Sequence, residues 1–238
     1  MTRSGLPLEG AFYPTRNLAP AKSVVVFLHG YGASGDDLID FSAFLTGNLP
    51  DTAFYAPHAP DPCEIAPFGF QWFSLETYDP DMLRRDPRSL PRALEDMAEG
   101  AKIHAALLND YLSAVMERHG IGPERLGVIG FSQGTMMALE TTLRREVPVA
   151  AVVGFSGALV GASRLARELR CRPPVQLIHG DADEMVPFGA MSLARHALAE
   201  AGLDVRSHAC KGLGHGIDMA GMFVARDFLF HRLEAEPT

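Results

Sequence analysis

Valine-rich apolar runs recur along the chain and alternate with patterns typical of helices. The apolar residues in these runs are continuous rather than alternating with polar ones, which indicates strands buried on both faces. The pattern therefore predicts an α/β architecture, a mostly parallel central sheet with helices on both faces. In such sheets the ligand site lies beyond the carboxyl ends of the strands. The predicted strands cover residues 24–28, 53–56, 126–130, 149–155, 175–179 and 205–209.

The longest helical pattern begins near Leu90, and its apolar positions recur at intervals of three and four residues. This spacing predicts one long helix with a single buried stripe, and Gly120 is the expected stop. His104 and His119 fall within the pattern with no evident catalytic partner nearby, so we interpret them as packing and helix-end residues. The stripe consists of Leu90, Leu94, Met97, Ala101, His104, Leu108, Tyr111 and Val115.

A segment of about residues 57–90 precedes this helix and reads differently from the rest of the chain. Four prolines and four aromatic residues lie between residues 57 and 73, and a polar stretch follows at 76–88. Such a composition predicts an ordered loop, lid-like in position, although for the polar stretch alone a solvated loop is favoured over a lid. Since the chain contains no repeat, low-complexity segment or linker, residues 1–238 are predicted to form a single domain.

Composition excludes several function classes. The chain has 238 residues, 47% of them hydrophobic, and a formal net charge of −8, which argues against a nucleic-acid partner. We find neither an apolar signal core nor a run of about 18 apolar residues, so we expect a cytoplasmic protein with no integral membrane segment. Cys63, Cys171 and Cys210 lie far apart without paired spacing, and no metal-binding or nucleotide-binding motif is present. Neither a disulfide framework, a metal nor a cofactor is therefore expected.

The candidate chemistry centres on Ser132 within a Gly-x-Ser-x-Gly pentapeptide that joins an apolar run to an apolar helical pattern. This context predicts a sharp strand-to-helix turn that presents the serine, with Gly130 and Gly134 small enough for strand and helix to pass closely. The pentapeptide alone is weak, but the chain offers an internal comparison. Ser156 also follows an apolar run, yet it lacks the second glycine and a helix behind it, and we interpret it as structural.

The first predicted strand runs into residues 29–37, where three glycines fall within six residues. Such a loop can present backbone amides to an oxyanion, and it occupies the position where a hydrolase places its second donor. The plainer alternative is a tight turn, with Ser34 or Asp36 capping a helix that continues to about Phe44.

A serine nucleophile needs an imidazole to take its proton and a carboxylate to orient that imidazole. His215 is bracketed by glycines after the last predicted strand and is the favoured base, with His179 as the main rival. For the acid, Asp181, Asp183 and Glu184 compete, and spacing alone does not separate them.

Six short motifs lie in order along the chain, at residues 28–32, 71–73, 130–134, 155–157, 179–187 and 214–215. In these motifs the chain resembles the phospholipase/carboxylesterase family of α/β-hydrolases, which includes acyl-protein thioesterases and small bacterial carboxylesterases. The resemblance implies an α/β-hydrolase fold with Asp183 as the acid, and the backbone amides of Tyr31 and Gln133 as oxyanion donors.

The expected reaction is hydrolysis of a small-molecule ester or thioester with a short to medium acyl chain, through an acyl-enzyme on Ser132. Lysophospholipid or lactone hydrolysis is the alternative on the same three side chains, and a binding protein without turnover is the alternative from another class. A homodimer is left open. The hydrophobic candidates for an acyl pocket are Trp72, Phe73, Met136 and Val186.

Overall fold

The computed structural model describes residues 5–234, which form a seven-stranded sheet between two layers of helices. The strands are β1 (Gly10–Tyr13), β2 (Ser23–Leu28), β3 (Thr52–Pro57), β4 (Asp61–Pro62), β5 (Phe70–Gln71), β6 (Leu126–Phe131), β7 (Ala151–Phe155), β8 (Val175–Gly180) and β9 (Val205–Cys210). The strand order in the main sheet is β1-β3-β2-β6-β7-β8-β9, while β4 and β5 pair as a separate small hairpin.

All six predicted strands are confirmed, and every pair among them is parallel. Strands β2, β3, β7 and β8 are buried along their whole length, as continuous apolar runs predict. Strand β1, which pairs antiparallel with β3 at the sheet edge, was not predicted, nor were the two-residue strands of the hairpin.

The helices are α1 (Asp36–Ile39), α2 (Phe41–Leu45), α3 (Pro80–Arg85), α4 (Leu90–Asp96), α5 (Ala98–Ile103), α6 (Ala105–His119), α7 (Gln133–Thr142), α8 (Leu165–Glu168), α9 (Gly189–Glu200) and α10 (Met219–Leu233). One apolar core contains residues of α4 to α7 and α9, and a second core contains residues of α1, α2 and α10. The sheet therefore lies between two cores, one on each face. Within residues 5–234 we find no helix that is both long and apolar enough to cross a membrane.

The prediction of one long helix from Leu90 to His119 is wrong in its continuity, because the segment divides into α4, α5 and α6. The predicted stripe is nevertheless buried, apart from the half-buried His104. Its positions repeat every seven residues, whereas a straight helix with 3.6 residues per turn drifts away from such a repeat. We attribute the breaks at Met97 and His104 to this mismatch, since they return the stripe to the core. Gly120 ends α6 with a left-handed φ of 62°, as predicted.

The predicted helix cap after β2 is also corrected. Gly35, rather than Ser34 or Asp36, is the N-cap of α1, and it offers no side-chain hydrogen bond. A Cβ built on Gly35 would lie 2.0 Å from the Ala56 carbonyl oxygen, so the close approach to β3 requires glycine there. The Asp37 carboxylate instead accepts hydrogen bonds from the backbone amide and hydroxyl of Ser34.

Candidate active site

Ser132 lies at a sharp turn between β6 and α7, with φ 54° and ψ −118°. A non-glycine residue rarely adopts positive φ, so the surrounding backbone must impose this conformation. A Cβ on Gly134 would lie 1.9 Å from the Leu28 carbonyl oxygen, and a Cβ on Gly130 would lie 2.4 Å from the Gly134 backbone. Both glycines are therefore required by close backbone approach, which is the reason predicted for them from the pentapeptide.

Hydrogen bonds to the neighbouring strand hold this turn. The Ser132 backbone amide donates to the Phe155 carbonyl at 2.9 Å. The Thr135 hydroxyl contacts the carbonyls of both Gly130 and Phe155, at 2.8 and 2.9 Å. The start of α7 is thus tied to the ends of β6 and β7.

Three side chains from separate loops meet at this turn. His215 Nε2 lies 3.0 Å from Ser132 Oγ, and His215 Nδ1 lies 2.9 Å from Asp183 Oδ2 and 3.1 Å from Oδ1. The loops that carry them follow β6, β8 and β9. Of the rival acids, Asp181 instead accepts a hydrogen bond from the Gly212 amide at 2.6 Å. The arrangement can pass a proton from the hydroxyl to the imidazole while the carboxylate stabilises the resulting positive charge.

The Asp183 carboxylate is fully buried yet accepts hydrogen bonds from several donors. The backbone amides of Met185 and Val186 each donate to Oδ1 at 2.9 Å, and His179 Nε2 lies 3.2 Å from Oδ2. Burial alone would raise the pKa of Asp183, but hydrogen bonds from His179, His215 and the Val186 amide outweigh it and hold the pKa well below its usual range. Asp183 is therefore an anion at neutral pH.

The loop after β2 folds into a turn beside the serine. The Ala33 amide donates to the Gly30 carbonyl at 3.2 Å, and Gly32 has φ 79°, the positive value that a type II turn requires at that position. A Cβ on Gly30 would lie 3.2 Å from the Ser132 side chain, which measures how near this turn comes. Tyr31 lies within the turn, and its hydroxyl donates to Glu64 at 2.7 Å.

His29, at the start of the same turn, is a neutral structural residue. Its Nε2 accepts the Ala59 amide at 2.9 Å, so its Nδ1 carries the proton and donates to the Gly30 carbonyl at 2.8 Å. Burial lowers the pKa of His29 to about 4.

Gln133 connects the two segments beside Ser132. As the first residue of α7 it has a backbone amide with no acceptor inside the helix. Its side-chain oxygen accepts the Trp72 amide at 2.8 Å, and its side-chain nitrogen donates to the Phe73 carbonyl at 2.7 Å. The Trp72 indole in turn donates to the His29 carbonyl at 3.0 Å. The turn at Ser132 and the loop after β2 are therefore connected to each other through residues 72 and 73.

Comparison with known proteins places this geometry in a family. The phospholipase/carboxylesterase family model matches residues 15–232. The chain belongs to this family. It is 27% identical over 223 residues to acyl-protein thioesterase 1 of Neurospora crassa, covering 89% of this chain and 87% of the relative. It is 27% identical over 212 residues to esterase YpfH of Escherichia coli, covering 88% and 83%.

Solved structures agree with the family assignment. The crystal structure of esterase PE8 superposes with a TM-score of 0.85 at 39% identity, covering 95% of this chain and 99% of that chain. Acyl-protein thioesterase 2 of Zea mays superposes with a TM-score of 0.69 at 26% identity, covering 94% and 99%. The chain is accordingly a single-domain α/β hydrolase, as the motifs implied.

The four hydrophobic residues predicted to line an acyl pocket are all buried in this family member. Trp72, Phe73 and Met136 belong to the core between the sheet and helices α4 to α7, and Val186 belongs to the same core. Val186 also contributes its backbone, because its amide donates to Asp183 and its carbonyl faces His179 Nε2 at 2.9 Å. Contact of these residues with an acyl chain stays a prediction.

Two residues near the triad were not identified from sequence. The Phe131 ring lies 5.0 Å from the His215 ring, and its position directly before the serine was the available signal. The Tyr78 hydroxyl donates to the Met185 carbonyl at 2.7 Å, which links the polar stretch to the loop that carries Asp183. Burial, followed by the nearby charge of Asp183, raises the pKa of Tyr78 to about 12. No local signal indicated this contact, because it joins residues 107 positions apart.

The histidines set aside as non-catalytic do have partners, contrary to the reason given for them. His104 Nε2 lies 2.9 Å from Asp61 Oδ2, and His119 Nε2 lies 2.8 Å from the Tyr55 hydroxyl. These two bonds connect the end of α6 to β3, and the turn before α6 to β4. Ser156 is buried with φ 43°, and its hydroxyl points to the Gly216 carbonyl at 3.4 Å.

Proposed function

We propose that this protein hydrolyses carboxylic esters or thioesters of short to medium acyl chains through an acyl-enzyme on Ser132. The observation that carries the proposal is the 3.0 Å contact between Ser132 Oγ and His215 Nε2, with Asp183 bonded to the other ring nitrogen. Relatives named acyl-protein thioesterase and esterase support the two substrate classes.

In the first step Ser132 Oγ bonds to the acyl carbon while His215 Nε2 takes the hydroxyl proton. The carbonyl oxygen becomes an oxyanion, for which the backbone amides of Tyr31 and Gln133 are the proposed donors. The tetrahedral intermediate then collapses: the carbon–oxygen or carbon–sulfur bond breaks, and His215 returns the proton to the leaving alcohol or thiol. Asp183 stays ionised throughout and holds the imidazole in its productive tautomer.

In the second step a water molecule attacks the acyl-enzyme. His215 takes a proton from the water, and the same amides stabilise the second oxyanion. Collapse releases the carboxylic acid and returns the proton to Ser132 Oγ. No step in this scheme calls for a metal or an organic cofactor. A cytoplasmic location stays a prediction, and a homodimer stays an open alternative.

Labelling by a fluorophosphonate tests the nucleophile, because the reagent reacts with an activated serine. We expect the unaltered protein to label and Ser132→Ala to lose both label and turnover, by a factor on the order of 10⁴ or more. Ser156→Ala is the matched control, since Ser156 is another serine with positive φ at a strand end. Labelling that persists in Ser132→Ala, or disappears only in Ser156→Ala, would refute the assignment.

A substrate panel then separates the activities that share this triad. Aryl esters and acyl thioesters of increasing chain length test the proposal, and lysophospholipids and lactones test the alternative. A kcat/KM at least about tenfold higher for a lysophospholipid or lactone than for every ester and thioester would replace the proposed substrate class while leaving the nucleophile unchanged.

A further inference from the structure

A second histidine shares the carboxylate that orients His215. His179 lies near the end of β8, and its side chain is almost fully buried. Its Nε2 lies 3.2 Å from Asp183 Oδ2 and 2.9 Å from the Val186 carbonyl oxygen. The edge of its ring faces Phe188, with 6.0 Å between centroids. These contacts hold the His179 imidazole in place beside the loop that carries Asp183.

The chemistry of these contacts assigns the proton. A backbone carbonyl and an ionised carboxylate can only accept hydrogen bonds, so His179 Nε2 must carry hydrogen to satisfy either of them. The Val186 carbonyl is the hydrogen-bond acceptor of Nε2–H at 2.9 Å, and Oδ2, the Asp183 oxygen that faces His215 Nδ1 most closely, is a second and longer contact at 3.2 Å. The other oxygen, Oδ1, is held by the amides of Met185 and Val186.

We propose that His179 is a positioning residue of the triad, which holds the Asp183 carboxylate in the rotation that His215 uses. This inference rests on the proposed function, since it concerns how the acid of that reaction is oriented. Without the Nε2–H group, the buried Val186 carbonyl loses its hydrogen bond and Oδ2 keeps His215 but loses its close contact with His179.

Glutamine and methionine substitutions separate positioning from packing. His179→Gln places an amide N–H where Nε2 now lies, whereas His179→Met fills similar space without a donor. We expect His179→Met to lower kcat on the order of 10- to 100-fold with KM changed less than about twofold, because a buried hydrogen bond and a close contact with the carboxylate are lost together. His179→Gln should recover most of kcat. The matched control is His104→Met, which removes another histidine–aspartate contact, to Asp61, outside the triad.

The pH profile of kcat/KM supplies a readout that packing alone would not move. The ionisable groups around this pair are Asp183 itself, His215 across the carboxylate, and the Tyr78 hydroxyl on the Met185 carbonyl. In His179→Met the carboxylate that faces His215 has lost one contact, so the acid limb of the profile should differ from that of the unaltered protein. His179→Gln and His104→Met should show the same acid limb in the pH profile of kcat/KM as the unaltered protein.

The role of His179 is overturned if His179→Met keeps kcat, if His179→Gln is as slow as His179→Met, or if the acid limb does not move. Should His179→Met fail to fold, the comparison of His179→Gln with His179→Asn decides, because the asparagine amide is too short to reach Oδ2. Equal kcat in those two variants refutes positioning. Fluorophosphonate labelling of the unaltered protein separates the two hypotheses. A protein that neither labels nor turns over refutes the proposed function and this role together, whereas a labelled, active protein with an unaffected His179→Met refutes this role alone.

Discussion

The side chain of Gln133 offers a sharp test of how the serine turn is held. Its amide is completely buried and uses both ends, accepting from the Trp72 backbone and donating to the Phe73 backbone. Gln133→Leu keeps the approximate size of the side chain but removes both hydrogen bonds. Gln133→Leu therefore leaves the buried Trp72 N–H and the buried Phe73 C=O without these hydrogen-bond partners.

The expected cost follows from those two groups. An unsatisfied buried backbone group costs about 1–3 kcal/mol, and the added apolar surface of leucine offsets part of the total. We expect the free energy of unfolding to fall by about 2–5 kcal/mol. For a chain of this size each kcal/mol lowers the melting temperature by about 2–4 °C, so the shift should be about 5–15 °C. Turnover should also fall about tenfold or more, because residue 133 carries a proposed oxyanion donor.

Thermal unfolding and aryl-ester kinetics on the same preparations check both numbers. Gln176→Leu is the matched control, because Gln176 is also buried but within residues 5–234 its side chain donates a single hydrogen bond, to the adjacent Leu177 carbonyl at 3.1 Å. The melting temperature of Gln176→Leu should change by less than about a third of the change expected for Gln133→Leu. If Gln133→Leu melted within about 2 °C of the unaltered protein, or no lower than Gln176→Leu, the bridging role of this side chain would be wrong.

Two further predictions concern the same end of the sheet. Gly134→Ala should unfold or melt far below the unaltered protein, because its Cβ would lie 1.9 Å from the Leu28 carbonyl oxygen. Gly47→Ala is the control and should melt close to the unaltered protein, because the nearest atom to its Cβ is 3.8 Å away. Thermal unfolding of the two variants tests this prediction. Because burial lowers the pKa of His29 to about 4 from 6.5, the unfolded chain binds a proton in this interval that the folded protein does not. The free energy of unfolding should therefore fall by up to about 3 kcal/mol as pH drops from 6.5 to 4, and urea titrations should show a shallower fall in His29→Gln. Identical slopes would contradict the buried neutral state.

The parts of the site that sequence predicts well are those set by local backbone requirements. Gly130 and Gly134 are needed by the turn itself, and the order of Ser132, an acid and His215 follows from successive parallel strands. The choice of acid depended on the family resemblance. Spacing alone did not separate the candidates, because what brings Asp183 to His215 is the fold of its own turn, in which the Met185 and Val186 amides donate to the carboxylate.

Contacts between distant segments were not predictable in the same way. The bonds of His104 to Asp61 and of Tyr78 to the Met185 carbonyl join residues 43 and 107 positions apart, and neither partner has a local signature. The helix cap failed for a related reason: Gly35 is chosen by its approach to β3, which a reading of α1 alone does not contain. For the segment from Leu90 to His119, the prediction of the buried residues was confirmed and the prediction of one continuous helix was wrong. Periodicity indicates which face of a helix is buried, but it does not indicate where the helix axis breaks.

Ser132 carries its positive φ at the end of β6, the fourth of seven strands, with Gly134 resting on the backbone of β2. Such a conformation persists only while the surrounding sheet compels it. The proposed nucleophile is therefore held by the central strands of the sheet rather than by a peripheral loop that could unfold first. Heat inactivation and loss of tertiary structure should accordingly coincide as one cooperative event.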